Sequence, residues 1–229
     1  FPPPFGPTQG SSWGDYDSDG DPDIFVASGN VFAPDAQSIL YRNRGDGAFD
    51  RIMKGPIVED RLAAFSGAWA DFDNDRDLDL LVAGSEGTDF NVEAVSSPRI
   101  YRNEGFGQFS RFVPHAFPND LKALTSAAVW FDLENDGDLH TYLGNDWGPN
   151  LAGTGVPNML FRNDGRDTFT RIERDPSVEA ARQTLSVATS DFDGDGDMDL
   201  FAGNGGASFP GYAGDNLYLN DGQEGVIAV

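Results

Sequence analysis

Nine residues near the end of the chain, Asp191–Asp199 (DFDGDGDMD), carry five aspartates at alternate positions, with Gly194 and Gly196 between them. Carboxylates this close repel one another, so the run calls for a positive charge in its midst. The same nonapeptide occurs three more times, as Asp15–Asp23 (DYDSDGDPD), Asp71–Asp79 (DFDNDRDLD) and Asp132–His140 (DLENDGDLH). The four copies start at 15, 71, 132 and 191, spacings of 56, 61 and 59. A second motif keeps step with the first: LYRNRGDGAFDRI at 40–52, IYRNEGFGQFSRF at 100–112, LFRNDGRDTFTRI at 160–172 and a shortened LYLN at 217–220. Two motifs in register at a period near 60 mean four copies of one unit, stacked or set radially.

Each unit reads as four short strands. In the first, residues 11–16 lead into the acidic loop, 23–28 (DIFVAS) leave it, 38–43 (SILYRN) follow, and a Gly-rich turn leads to 48–52. Short β-rich runs at this density predict an all-β fold. Four strands per unit of this length match the antiparallel blade of a β-propeller. The repeats span about 11–65, 66–125, 126–185 and 186–229, behind a Pro- and Gly-rich lead-in at 1–10, and 225–229 (GVIAV) reads as a last fourth strand.

An alternating run of acids can curl around one hard cation, with a glycine allowing the sharp turn. Ca²⁺ takes 6–8 oxygens from such loops. An EF-hand starts in the same way but needs a Glu at its twelfth position and flanking helices, whereas here the last acid is ninth and the flanks are β-like. The loops therefore read as calcium-binding β-hairpins.

The pattern WADFDNDRDLDLLVA at 69–83, followed by IYRNEGFGQF at 100–109, resembles the FG-GAP/VCBS repeat family. The resemblance covers all four units, from Ser11 to Asn220. It implies an integrin-α-like propeller with a calcium-bearing loop on one face of each blade, and roles in extracellular adhesion, recognition or scaffolding. It also implies that positions one, three, five and nine supply carboxylates. These are Asp15, Asp17, Asp19 and Asp23; Asp71, Asp73, Asp75 and Asp79; and Asp191, Asp193, Asp195 and Asp199. Position seven would give its backbone carbonyl, turning the side chains of Asp21, Asp77 and Asp197 outward.

Two loops depart from the pattern. The second has Arg76 where the others have glycine, a strained choice if φ must be positive there. The third has Glu134 at position three and His140 at position nine. Neutral imidazole is a poor ligand for a hard cation, so Asp132, Glu134, Asp136 and Asp138 form a weaker set. Roughly three Ca²⁺ ions are expected, and four if the third loop fills. Propellers of this family usually have seven blades, and this chain supplies four. It is thus part of a larger propeller, a closed four-bladed ring, or one component of an assembly.

The charge of −23 is concentrated. The four loops hold 19 of the 38 acids and one base, Arg76, so the remainder of the chain is close to neutral. Nucleic acid is disfavoured as a partner because phosphate binding needs a basic face. No run is long enough to span a membrane, no cysteine offers a disulfide or thiolate, and no signal peptide is visible. The start at Phe1 reads as a processed or excised product. No nucleophile elbow, P-loop or zinc-protease motif is present.

In a meandering blade the acidic loops share one face, and the connections at 29–37, 84–98, 144–158 and 203–215 share the other. These vary in length and sequence while the framework repeats, which is where loop-borne function resides. Trp147, Phe209 and Tyr212 there are candidates for stacking on a sugar. Arg44-Gly45-Asp46 spells a triplet that integrins recognise, but its counterparts in the same turn lack it, so it reads as a turn. Arg42, Arg102 and Arg162, each followed by Asn, read as blade-to-blade hydrogen-bonding positions. The expected function is a secreted, extracellular or cell-surface module, with the periplasm as a further setting, that binds a protein or self-assembles. A lectin is the alternative, and a polysaccharide lyase or hydrolase the third reading.

Overall fold

A computed structural model describes residues 7–29, 37–86, 95–96, 98–117, 123–146, 156–205, 214–222 and 226–229. Each repeat forms one antiparallel sheet with its strands in sequence order. Blade 1 is Thr8–Gly14, Asp23–Ser28, Ile39–Asn43 and Phe49–Arg51. Blade 2 is Ala63–Ala70, Asp79–Glu86, Arg99–Asn103 and Phe109–Phe112, with Val95–Ser96 added along its second strand. Blade 3 is Thr125–Phe131, His140–Asn145, Met159–Asn163 and Phe169–Ile172. Blade 4 is Thr184–Ser190, Asp199–Asn204, Asn216–Asn220 and Val226–Ala228. The all-β propeller-blade reading holds, including the final strand near the C-terminus.

Two details differ from the sequence expectation. The first strand starts at Thr8, ahead of residue 11, and carries a bulge between Thr8 and Ser11. Blades 2, 3 and 4 repeat that bulge between Ala64 and Ser66, Thr125 and Ala127, and Thr184 and Ser186. A bulge bends its strand and deepens the local twist. Two single-turn helices, Pro56–Glu59 and Pro176–Glu179, also follow the fourth strands of blades 1 and 3. Proline at the first helical position suits such a start. The turns bury Ile57, Val58 and Val178 in the seams between blades.

Alternation along the central strands gives each blade two apolar faces. Phe25, Ala27 and Leu40 of blade 1 meet Leu80, Val82 and Tyr101 of blade 2. Leu81 and Ile100 meet Leu143, Met159 and Phe161, and Tyr142 and Leu160 meet Leu200, Ala202 and Tyr218. The first strands of blades 1 to 4 pack in file. Close approach needs small residues: a Cβ on Gly67 would lie 2.6 Å from the Phe25 ring.

Near the acidic loops, aromatic rings seal the seams. Trp69 of blade 2 stacks on Tyr16 of blade 1, with centroids 6.0 Å apart and planes 13° from parallel. Trp130 of blade 3 stacks on Phe72 of blade 2 at 5.6 Å and 6°. Trp13, the equivalent residue of blade 1, is 60% exposed and meets Phe49 of its own blade edge-on.

This contrast sets a test. Trp130→Ala should cost about 3–5 kcal/mol by urea unfolding, as for a buried aromatic truncation, whereas Trp13→Ala should stay within about 1 kcal/mol. Equal losses at the two positions would contradict the seam assignment.

Candidate metal loops

The loops use their carboxylates to fold themselves. The position-one carboxylate accepts the backbone N–H groups of positions five and six in every copy: Asp15 from Asp19 and Gly20, Asp71 from Asp75 and Arg76, Asp132 from Asp136 and Gly137, Asp191 from Asp195 and Gly196. The position-five carboxylate then accepts the N–H of position seven. This winding requires positive φ at position six, met by Gly20, Gly137 and Gly196, and by Arg76 at 80°. The strain suspected at Arg76 is therefore present.

The ninth carboxylate ties the loop to the sheet. Asp23 accepts the N–H groups of Tyr16 and Asn43, Asp79 those of Phe72 and Asn103, and Asp199 those of Phe192 and Asn220. All three aspartates are fully buried. Burial pushes the Asp79 carboxyl up to about 7 and Asp23 up to about 6, against the lowering effect of the backbone donors.

What remains after this folding is a set of oxygens facing one another. Three groups have ligand atoms within 4.8 Å of each other: Asp15, Asp17 and Asp19; Asp71, Asp73 and Asp79; Asp191, Asp193 and Asp199. At position three, Asp17 Oδ1 and Asp73 Oδ1 are buried with no hydrogen-bond partner among the described residues. Burial and neighbouring carboxylates raise the proton affinity of both acids, against the opposing pull of an arginine on each. An orphaned anionic oxygen beside two further carboxylates fits a hard cation with oxygen ligands.

The third loop is built differently. No such group forms there among the described residues. The fully buried His140 ring occupies the ninth position, with Nδ1 2.9 Å from the Asp138 carbonyl and Nε2 3.9 Å from Glu134 Oε1. The position-seven aspartates belong to none of the three groups. Asp138 and Asp197 accept from Asn74 and Asn135 of the preceding blades, and Asp21 and Asp197 lie against Gly45 and Gly222.

Sequence reasoning left unassigned the aspartate–asparagine link and the residue at position two. Asn103 Nδ2 donates to the Tyr16 carbonyl at 2.6 Å, Asn163 to Phe72 at 2.8 Å, and Asn220 to Leu133 at 2.8 Å. Each asparagine thus joins its own loop's ninth position to the preceding blade's loop, except Asn163, whose loop ends in His140. Tyr16, Phe72, Leu133 and Phe192 recur at position two, and that regularity was the available signal. Of the three arginines, Arg102 bridges blades: it pairs with Asp73 at 3.0 Å and with Asp167, and lies 4.6 Å from the Phe112 ring centre. Arg42 and Arg162 pair within their own blades. The Arg44-Gly45-Asp46 triplet forms a hairpin turn in which Asp46 accepts the Ala48 N–H. Trp147, Phe209 and Tyr212 lie outside the described residues.

A family model described as FG-GAP-like repeat matches residues 15–82 and 145–202, more than half of the chain. Cartilage acidic protein 1 of Homo sapiens is 24% identical over 185 residues, 80% of this chain and 26% of that protein. Its Xenopus tropicalis counterpart is 26% identical over 194 residues, 80% of this chain and 28% of that protein. The chain therefore spans about a quarter of the length of these relatives.

Two outcomes test the loop geometry. Free aspartate titrates near about 4, so metal-free folded chain holds more protons than unfolded chain while Asp79 and Asp23 titrate. That contribution is full below about 4 and is lost as pH rises through about 6 to 7. Urea midpoints in chelator should fall between pH 5.5 and 7.5, and a rising midpoint would contradict the burial argument. Separately, Arg76→Gly should relieve about 1 kcal/mol of backbone strain, read as a higher melting temperature with divalent cation present.

Proposed function

The chain belongs to the FG-GAP-like repeat family, and on that footing we propose that it is a calcium-stabilised β-propeller module working outside the cell, binding a protein or building an assembly rather than catalysing a reaction. The observation that carries the reading is the pair of buried oxygens Asp17 Oδ1 and Asp73 Oδ1, without a hydrogen-bond partner among the described residues and each within a group of three carboxylates. Asp15, Asp17, Asp19 and Asp23 would hold one ion; Asp71, Asp73, Asp75 and Asp79 a second; and Asp191, Asp193, Asp195 and Asp199 a third. The ion's role is structural. It supplies the positive charge that the loops lack, so its binding energy becomes folding energy.

Loops of this kind suit surroundings rich in calcium, since extracellular modules bind it at about 10⁻⁴–10⁻³ M. The similar proteins are named for cartilage and for acidity, which accords with a chain of net charge −23 and a setting outside the cell. The described carboxylate groups belong to the repeated loops, where loop winding at position one and a bound ion at position three would account for them. This supports a binding or assembly role over turnover.

Calorimetric melting with calcium, then with excess chelator, tests the reading alongside a count of bound ions. The expected result is three ions per chain and a steep loss of stability on chelation, since one site at a hundredfold excess over its Kd contributes about 2.7 kcal/mol. Asp73→Asn should reduce the count to two, and Asp136→Asn should leave it at three. No bound calcium and unchanged melting would overturn the proposal.

A further inference from the structure

The third acidic loop holds two buried atoms that face each other without a partner. His140 is fully buried, and its Nε2 has no hydrogen-bond partner among the described residues. Glu134 Oε1, buried and likewise unpartnered among them, lies 3.9 Å away. The ring's other nitrogen, Nδ1, is 2.9 Å from the Asp138 carbonyl. A carbonyl only accepts, so Nδ1 carries the hydrogen. In the neutral ring Nε2 then presents its lone pair to the carboxylate oxygen. Two electron-rich atoms buried in this way call for a positive charge between them.

A proton alone does not account for the spacing. A charge-assisted N–H···O bond closes to about 2.7–2.9 Å, and this pair stands 3.9 Å apart. A zinc ion makes bonds of about 2.0–2.1 Å to imidazole nitrogen and about 2.0–2.2 Å to carboxylate oxygen. Two such bonds span up to roughly 4.2 Å, so one ion can bridge the gap. The Nδ1–H bond to a backbone carbonyl is also the usual support of a metal-bound histidine, fixing its tautomer and ring direction.

The place of the pair within the loop points the same way. Glu134 and His140 stand at positions three and nine. In loops 71–79 and 191–199 the same two positions meet, as Asp73 with Asp79 and Asp193 with Asp199. The third loop keeps that meeting and changes its donors from two oxygens to a nitrogen and an oxygen. Both exchanges occur in this loop alone. Hard cations take oxygen donors, whereas imidazole suits zinc and its transition-metal neighbours. We infer that loop 132–140 is a site for a borderline divalent cation such as zinc, held by His140 Nε2 and Glu134 Oε1. The adjoining Asn135, Asp136 and Gly137 are exposed, so water is at hand to complete the coordination. The inference goes beyond the calcium reading of the other loops and does not rest on it.

Zinc titration of the calcium-saturated chain tests the inference, with both histidine rings followed by nitrogen NMR and both metals counted after dialysis. His115, exposed and the other histidine of the chain, serves as the internal control. The expected result is one zinc per chain that shifts His140 Nε2 and leaves His115 in place. His140→Asp should abolish that zinc. Because a new buried carboxylate can unfold the blade, Glu134→Gln, at a partly exposed position, is the second variant. It should keep the wild-type circular dichroism and weaken zinc binding by at least the roughly 10–100-fold that loss of an outer-shell partner costs. No bound zinc, zinc that leaves the His140 ring unmoved, or equal zinc affinity in Glu134→Gln would overturn the inference. The calcium count from the same samples reports separately on the other loops, so the two readings fail independently.

Discussion

Blades 1, 2 and 4 each depend on a buried aspartate at the end of the acidic loop and the asparagine it fixes. Asp23, Asp79 and Asp199 each spend both oxygens on backbone N–H groups, one inside the loop and one on the third strand. Asn103 and Asn220, held in this way by Asp79 and Asp199, carry the connection onward to the previous blade's loop. A carboxylate withdrawn from water is costly, and the N–H bonds offset only part of that cost. The residual demand for positive charge is one that a bound cation would meet.

The apolar seams and the polar links protect each other. Trp69 and Trp130 stack on Tyr16 and Phe72, whose backbone N–H groups donate to the buried Asp23 and Asp79. Arg102 lies over the rings of Phe72 and Phe112 while pairing with Asp73 and Asp167, supplying a fixed charge at one seam. In the third loop, His140 takes the place of a carboxylate and contacts the loop's own Asp138 carbonyl. That loop keeps the backbone winding of the others without gathering a carboxylate group. Winding and the gathering of carboxylates are thus separable: the first needs the position-one acid and a left-handed position six, and an aspartate at position three is in all three groups that form.

Much of this could be read from the residues. Periodicity gave four blades, because a loop of alternating acids and an Asn-x-Gly turn each impose a local backbone path that recurs wherever the motif does. Strain at Arg76 was visible for the same reason. The cross-blade contacts were less visible. Asn103 meets Tyr16 at a separation of 87 residues, and nothing local to either residue specifies the pair. At the seam of blades 3 and 4, Phe131 and Leu133 fill the space and Thr189 stands where blades 2 and 3 carry Trp69 and Trp130, an exchange with meaning only once two blades face each other. The short helices at Pro56 and Pro176 are single turns held by burial of Ile57, Val58 and Val178, too brief for a helical period to show.

The central claim is that the carboxylate groups hold calcium. A long-wavelength anomalous-difference map from a crystal grown in calcium tests it most directly. The account predicts one peak in each of loops 15–23, 71–79 and 191–199, lying about 2.3–2.6 Å from its carboxylate oxygens, with Asp17 Oδ1 and Asp73 Oδ1 among the ligands, and none in loop 132–140. A map without peaks in the first three loops, or with a peak of equal height in the third, would contradict it.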